Sequence, residues 1–390
     1  MSRAIPAVLM RGGTSKGVFF RAEDLPADPA LRDRLLLRVI GSPDHYRQQI
    51  DGLGGATSST SKVVLLSKST RPDSDVDYRF GAVAVDRPVI DWSGNCGNLT
   101  AAVGPQAIRW GWVAGAPADG LAQVRIWQAD IGRQIVAEVP MAGGEVVEDG
   151  DFELDGVTFP AAEIVLHFLD PGGADEGAML PTGTVAEVLE VPGAGPLEVT
   201  LLEAGIASVF VAAATLGLRG DESQAELNAQ PGLLERVEAV RATAAVAMGL
   251  AVTAQEASER FPHSPKLTVL AAPADSRAAD GRLICAEDVD LLARTFSMGR
   301  AHHAMTGTGA VALAAAAEVP GTLVHRLARP DRSPGRLCFA HPSGVLRVGA
   351  RAQRDEAGRW QVTEVVLSRS ARRLMEGQVL LPESAWGDRA

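Results

Sequence analysis

Ser93-Gly94-Asn95-Cys96-Gly97-Asn98 and Met305-Thr306-Gly307-Thr308-Gly309 are two versions of one turn, each followed by a run of small residues. Leu99 to Ile108 and Ala310 to Glu318 both carry alanines of good helix propensity, although Gly104-Pro105 interrupts the first run. Each turn is therefore expected to open a helix. Glycines let backbone N–H groups converge there, and the helix dipole adds positive potential, so each turn is a cradle for a carboxylate or phosphate. A thiol at such a position ionises more readily than a free one. A Gly/Asn cluster alone merely starts a helix, and a lone cysteine is commonly an inert core residue. The recurrence of the element is what points to a site.

The chain has 390 residues, 46% of them hydrophobic, enough for a large core and too many for one ordinary domain. With 41 Gly, 23 Pro and 5% aromatic residues it reads as strand-rich and turn-rich. A net charge of -11 argues against nucleic-acid binding. Cys96, Cys285 and Cys338 have neither disulfide-framework nor metal-ligand spacing. No apolar stretch of about 18 residues is present, so a soluble, cytoplasmic protein without a membrane partner is expected.

Strand signals recur at Val63 to Leu66, Tyr78 to Val85, Val124 to Val139, Leu197 to Leu202, Ser208 to Ala213, Leu267 to Ala271, Gly335 to Phe339, Val345 to Ala350 and Trp360 to Leu367. Two further helices are predicted, Leu233 to Leu250 from its apolar face and Ala286 to Arg294 from its acidic start and basic end. Pro192-Gly193-Ala194-Gly195-Pro196 is the expected linker, dividing the chain into domains 1–190 and 191–390 with one helix-opening turn in each.

Two further segments carry chemistry. Met10-Arg11-Gly12-Gly13-Thr14-Ser15-Lys16-Gly17 offers two cations and two hydroxyls beside a Gly-Gly turn, suited to an anion, without the spacing of a Walker loop. Gly52-Leu53-Gly54-Gly55 lacks the third glycine and the βαβ frame of a dinucleotide site. Behind it, Thr57-Ser58-Ser59-Thr60-Ser61 ends in Lys62 at the mouth of the apolar run Val63 to Leu66. A half-desolvated lysine there is a candidate base, whereas most lysines are simply solvated.

These four motifs, in this order, resemble the PrpF family of cofactor-independent isomerases, and the resemblance extends to Ser370-Ala371-Arg372-Arg373-Leu374-Met375-Glu376-Gly377. It implies a diaminopimelate epimerase-like α/β (α+β) fold: two pseudo-repeated domains, each a β-roll or barrel around a central helix, with the active site in the cleft between them. The C-terminal tail is open to crossing back to the first domain. Epimerases of that fold use two opposed cysteines. Here Cys96 stands at the first position and Thr306 at the second, and a neutral hydroxyl does not replace a thiolate base. The resemblance thus implies Lys62 as principal base and Cys96 as secondary acid or orienting group. Substrate contacts are expected from Arg11, Thr14, Ser15, Lys16, Ser61, Asn95, Gly97, Asn98, Ser264, Lys266, Met305, Thr306 and Gly307, with Arg11, Lys16 and Lys266 as cations. His302-His303 stays open between structural and catalytic roles, and no third ligand at metal spacing accompanies the pair.

The implied reaction is removal of an allylic proton from an unsaturated tricarboxylate, with no metal or cofactor. The flanks Gly55 to Thr60 and Asp91 to Cys96 favour 2-methylaconitate cis-trans isomerisation, as in propionate breakdown, over 4-oxalomesaconate allylic isomerisation. A non-catalytic tricarboxylate-binding accessory of an aconitase-like 2-methylcitrate dehydratase is the reading from another class. The resemblance also leaves room for a homodimer and for functional coupling to such a dehydratase.

Overall fold

The computed structural model describes residues 2–172 and 179–387. Two compact units form. The first comprises the chain through Glu153, Phe159–Leu166 and the residues from Arg369; the second comprises Leu154–Thr158 and His167–Ser368. The expected boundary near residue 190 falls inside the second unit. Pro192 to Pro196 is no linker: it is the turn of a hairpin between strands Glu187–Val191 and Gly195–Glu203, closed by Ala194 N–H to Val191 O at 3.0 Å. Its glycines Gly193 and Gly195 take φ of 77° and 75°, which is why a glycine-rich stretch suits a tight reversal as well as a flexible connection.

In the first unit, β1 (Ser2–Gly12) turns through Gly13-Thr14 into β2 (Ser15–Arg21). Helix α1 (Pro29–Ile40) has Pro29 at its first position and Asp28 as N-cap, accepting from Leu31 N–H at 3.0 Å, and ends at Gly41 with φ 85°. Strand β3 (Lys62–Lys68) runs parallel to β2 and antiparallel to β4 (Val76–Val83). Alternation sorts their side chains: Val18, Phe20, Val63, Leu65 and Val83 bury against Leu35, Leu36, Val39 and Ile40 of α1. The other face meets α2 (Gly97–Arg109), buried from Gly97 to Ala107. Pro105 lies within this helix, because burial on all sides outweighs a local propensity penalty. The run Val124 to Val139 is a hairpin of two strands, Gly120–Gln128 and Arg133–Ala142. A last strand, Ala371–Pro382, returns to pair along the whole of β1.

In the second unit, β5 (Gly195–Glu203) pairs with β6 (Ala207–Ala212), which runs parallel to β7 (Lys266–Ala271); β7 is antiparallel to β8 (Leu291–Ser297). Strands Arg336–His341, Gly344–Arg354 and Trp360–Arg369 continue as a meander. Helix α3 (Leu233–Ala247) covers Leu267, Val269 and Phe296 through Val237, Val240 and Ala244. Helix α4 (Gly307–Ala317) is buried at all of its residues, as an almost uniformly apolar sequence requires.

The helix expected over Ala286 to Arg294 is not formed. A 3-10 turn, Ala286–Asp288, gives way to β8, every residue of which is buried. A strand covered on both faces loses its alternation, and Leu291-Leu292-Ala293 then imitates a helical stripe. Arg294 is carried into the interior, where it donates to Glu222 O at 2.6 Å and burial lowers its guanidinium to about 10. Among the described residues no helix is long and apolar enough to cross a membrane.

Candidate active site

In the first unit the two expected segments meet. Gly12 and Gly13 lie against the first turn of α2, where a Cβ on Gly12 would come within 2.5 Å of Asn98 O and 2.9 Å of Leu99 Cα. Gly13 has φ 48°, and its N–H donates to Ser370 O at 2.8 Å. Thr14 Oγ1 accepts from Asn98 Nδ2 at 3.0 Å. Lys16 N–H donates to Ser59 O at 2.8 Å, tying the turn to the hydroxyl run. Arg11 clamps its own turn: Nη1 donates to Gly13 O and to Ser370 O at 3.1 and 2.9 Å. Burial, then the neighbouring Arg372, lowers its pKa from the ordinary value.

The hydroxyl run folds on itself, with Thr60 N–H and Ser61 N–H both donating to Thr57 O. Ser61 Oγ donates to Gln49 Oε1 at 2.8 Å, and the same oxygen accepts from Ala56 N–H at 2.7 Å. Lys62 then enters β3 opposite Ala82, only 5% exposed, with Nζ 4.8 Å from the centre of the Phe80 ring. Gly17 beside it leaves the space this needs, since a Cβ there would stand 3.2 Å from Lys62 Cβ.

Cys96 is the N-cap of α2, and its Sγ accepts from Leu99 N–H at 3.5 Å. Its carbonyl accepts from Thr100 N–H and Oγ1 at 2.9 Å and from Tyr78 Oη at 3.4 Å. Gly97 and Asn98 form the first turn behind it, and Asn95 Oδ1 accepts from Thr100 Oγ1 at 3.5 Å. Tyr78 and Phe80 are alternate residues of β4 and face the same way. One touches Cys96 and the other Lys62, so a single strip of β4 contacts both expected catalytic residues. Burial, followed by the charge of Cys96, pushes the Tyr78 phenol well above its usual range, so it stays a hydrogen-bond donor.

Sequence reasoning missed Arg369. It is buried beside the same turn, with Nε donating to Asn98 Oδ1 at 2.9 Å. Burial lowers it to about 9, and a negative charge on Cys96 acts in the opposite sense. It sits at the end of a strand just before the motif Ser370 to Gly377, and nothing local marks it as interior.

In the second unit, Thr306 is the N-cap of α4 but makes no side-chain capping bond, and its buried Oγ1 has no hydrogen-bond partner among the described residues. Gly309 makes room for that hydroxyl, with which any Cβ would collide. Met305 Sδ accepts from Thr295 Oγ1 at 2.9 Å, and Gly307 opens the helix. His302 Nδ1 accepts from Ala304 N–H at 3.0 Å, which leaves the proton on Nε2, and the ring stacks on His303 at 4.7 Å. Burial lowers the pKa of His303. Ser264 N–H donates to Phe261 O, and its carbonyl accepts from Arg241 Nη1 at 2.9 Å. Lys266 is buried at the start of β7, hydrogen-bonded to His263 and Ser297. Among the described residues no group of three or more His, Cys, Asp or Glu could hold a metal ion.

A hydroxyproline epimerase from Agrobacterium vitis has a similar fold, the match covering 100% of this chain and 96% of that one at TM-score 0.58 and 13% identity. That likeness is one of fold alone, and the fold is epimerase-like. The description "PrpF protein" matches residues 2–382, and the chain belongs to the PrpF family. It is 54% identical over 391 residues to the 2-methyl-aconitate isomerase of Cupriavidus necator, covering 98% of both chains. The crystal structure of a methylitaconate-delta-isomerase superposes with TM-score 0.76 at 37% identity, over 100% of this chain and 98% of that one. Isomerisation is the class of chemistry.

Proposed function

We propose that the protein isomerises 2-methylaconitate between its cis and trans forms, with Lys62 as the base. The observation that carries this reading is the strip on β4, where Phe80 supports the Lys62 amine and Tyr78 holds the turn of Cys96. The amine removes an allylic proton, the carbanion spreads into a dienolate, and the weakened central double bond rotates before the proton returns. Charge growing on the carboxylate is met by N–H groups of the first turn of α2, whose dipole points the right way. Cys96 orients the intermediate or returns the proton. Lys16 and Lys266 serve as cations for the carboxylates, whereas Arg11 and Arg369 shape the turn that receives them.

The identity to the Cupriavidus protein supports 2-methylaconitate as substrate, and with it a place in propionate breakdown in the cytoplasm beside an aconitase-like dehydratase. Proton NMR in D₂O on a panel of unsaturated tricarboxylates tests the reading. Conversion of 2-methylaconitate with deuterium entering the allylic position is expected. Turnover confined to 4-oxalomesaconate would move the substrate assignment, and binding with no exchange at any C–H bond would make the protein a carrier.

A further inference from the structure

In the second unit, β7 and β8 carry an apolar face and a polar one. Leu267, Val269 and Phe296 bury against α3. Alternation turns Lys266, Thr268, Thr295 and Ser297 to the opposite side, and all four are buried there. Thr268 and Thr295 hydroxyls lie 2.9 Å apart, and Thr295 continues to Met305 Sδ. The row of polar groups therefore leads to the turn that opens α4.

Lys266 occupies the place in this unit that Lys62 has in the first. Each is the first residue of a strand that runs parallel to the preceding hairpin strand and antiparallel to the next, Lys266 lying opposite Ser208. The surroundings of the two amines differ. Lys62 Nζ stands over the face of Phe80, whereas Lys266 Nζ lies 2.9 Å from His263 Nδ1 and 2.7 Å from Ser297 Oγ. An ammonium has three donors and no acceptor, so it bonds to Nδ1 where that nitrogen carries the lone pair and the imidazole is neutral with its proton on Nε2. At 1% exposure, an ammonium without acceptors would be very costly to bury. Two partners fix the amine in direction, the condition of an anion holder rather than of a base that must reach its proton.

We propose that His263 is a positioning residue, which accepts from Lys266 at Nδ1 and with Ser297 aims the ammonium at a substrate carboxylate. This rests on the reading above that Lys266 binds a carboxylate. His263→Leu is expected to raise KM about 10- to 100-fold with kcat much less changed, the range set by losing a charge-assisted hydrogen bond. Lys266→Met should do the same, and the double variant should be no worse than either single one, since the two side chains act as one unit. His263→Asn, whose amide oxygen can take the place of Nδ1, should restore most of the loss. Nitrogen-15 NMR of labelled histidine should show His263 as the Nε2–H tautomer, altered in Lys266→Met.

If Lys266→Met raises KM and His263→Leu does not, the positioning role is lost while the substrate reading stands. If Lys266→Met leaves KM unchanged, the substrate reading of that lysine is lost. Lowered melting temperatures with unchanged KM in both variants would make the pair a packing element and overturn the proposal, as would a protonated Nδ1 in the wild-type spectrum.

Discussion

Arg369 Nε donates to Asn98 Oδ1 at 2.9 Å, while Asn98 Nδ2 donates to Thr14 Oγ1 at 3.0 Å. One amide thus joins the β1–β2 turn, the start of α2 and the end of strand Trp360–Arg369. Lysine has no planar donor set to replace this bond. Arg369→Lys is expected to cost about 1–3 kcal/mol in urea unfolding and to slow turnover, because the turn around Cys96 loosens. An unchanged unfolding midpoint would contradict the role given to the pair.

Lys62→Met keeps an unbranched apolar chain beside Phe80, one atom shorter, and removes the base. Turnover should fall by about 10²- to 10⁴-fold, the usual cost of losing general base catalysis, with the circular dichroism spectrum retained. Near-native turnover would remove Lys62 from the mechanism.

Cys96→Ser leaves a hydroxyl at the N-cap, and serine is a good N-cap residue. Helix α2 should therefore be as stable as before, and turnover should drop far less than in Lys62→Met. Equal loss in the two variants, measured under the same conditions, would mean that thiol and amine are both obligatory as acid and base.

Gly12 and Gly377 are a matched pair, on strands that pair with each other. A Cβ on Gly12 meets backbone of α2, whereas one on Gly377 meets nothing within 4 Å among the described residues. Gly12→Ala should destabilise by about 1–3 kcal/mol through overpacking. Gly377→Ala should be neutral or stabilising through its effect on the unfolded chain. Thermal melts of the two proteins side by side decide it.

His303 has its pKa lowered by burial, so the unfolded chain takes up the proton first as pH falls. The neutral ring's contribution to stability is complete above about 6.5, the ordinary histidine value, and is lost as pH falls from there toward the folded-state value. His303→Gln should flatten the acid side of the melting-temperature profile in that window. A profile that superposes on the wild type would exclude the histidine as its source.

The helix-opening turns were legible because their chemistry is local: a glycine-rich segment, a capping residue and an alanine run lie in sequence. The burial of Lys62 at the start of a strand was legible for the same reason, since it stands between hydroxyls and an apolar run. Tyr78, Arg369 and His263 were not. Tyr78 reads as one more strand aromatic until its hydroxyl is seen at Cys96 O, and Arg369 meets Asn98 across 271 residues of chain. The helix expected over Ala286 to Arg294 failed because a strand buried on both faces has no period to read. The linker expected at Pro192 to Pro196 failed because glycine and proline mark reversals and breaks alike.

The pairing of β1 with the strand Ala371–Pro382 also bears on how the protein is made. Arg3 and Glu383 are bonded across 380 residues, so a ribosome must add all of these before β1 can acquire its full neighbour. The second unit, Leu154–Thr158 with His167–Ser368, emerges while the N-terminal strand waits with one edge unpaired. A nascent chain stalled before residue 371 should carry that open edge to chaperones, and a circular permutant that encodes Ala371–Pro382 immediately before β1 should fold the first unit without the wait.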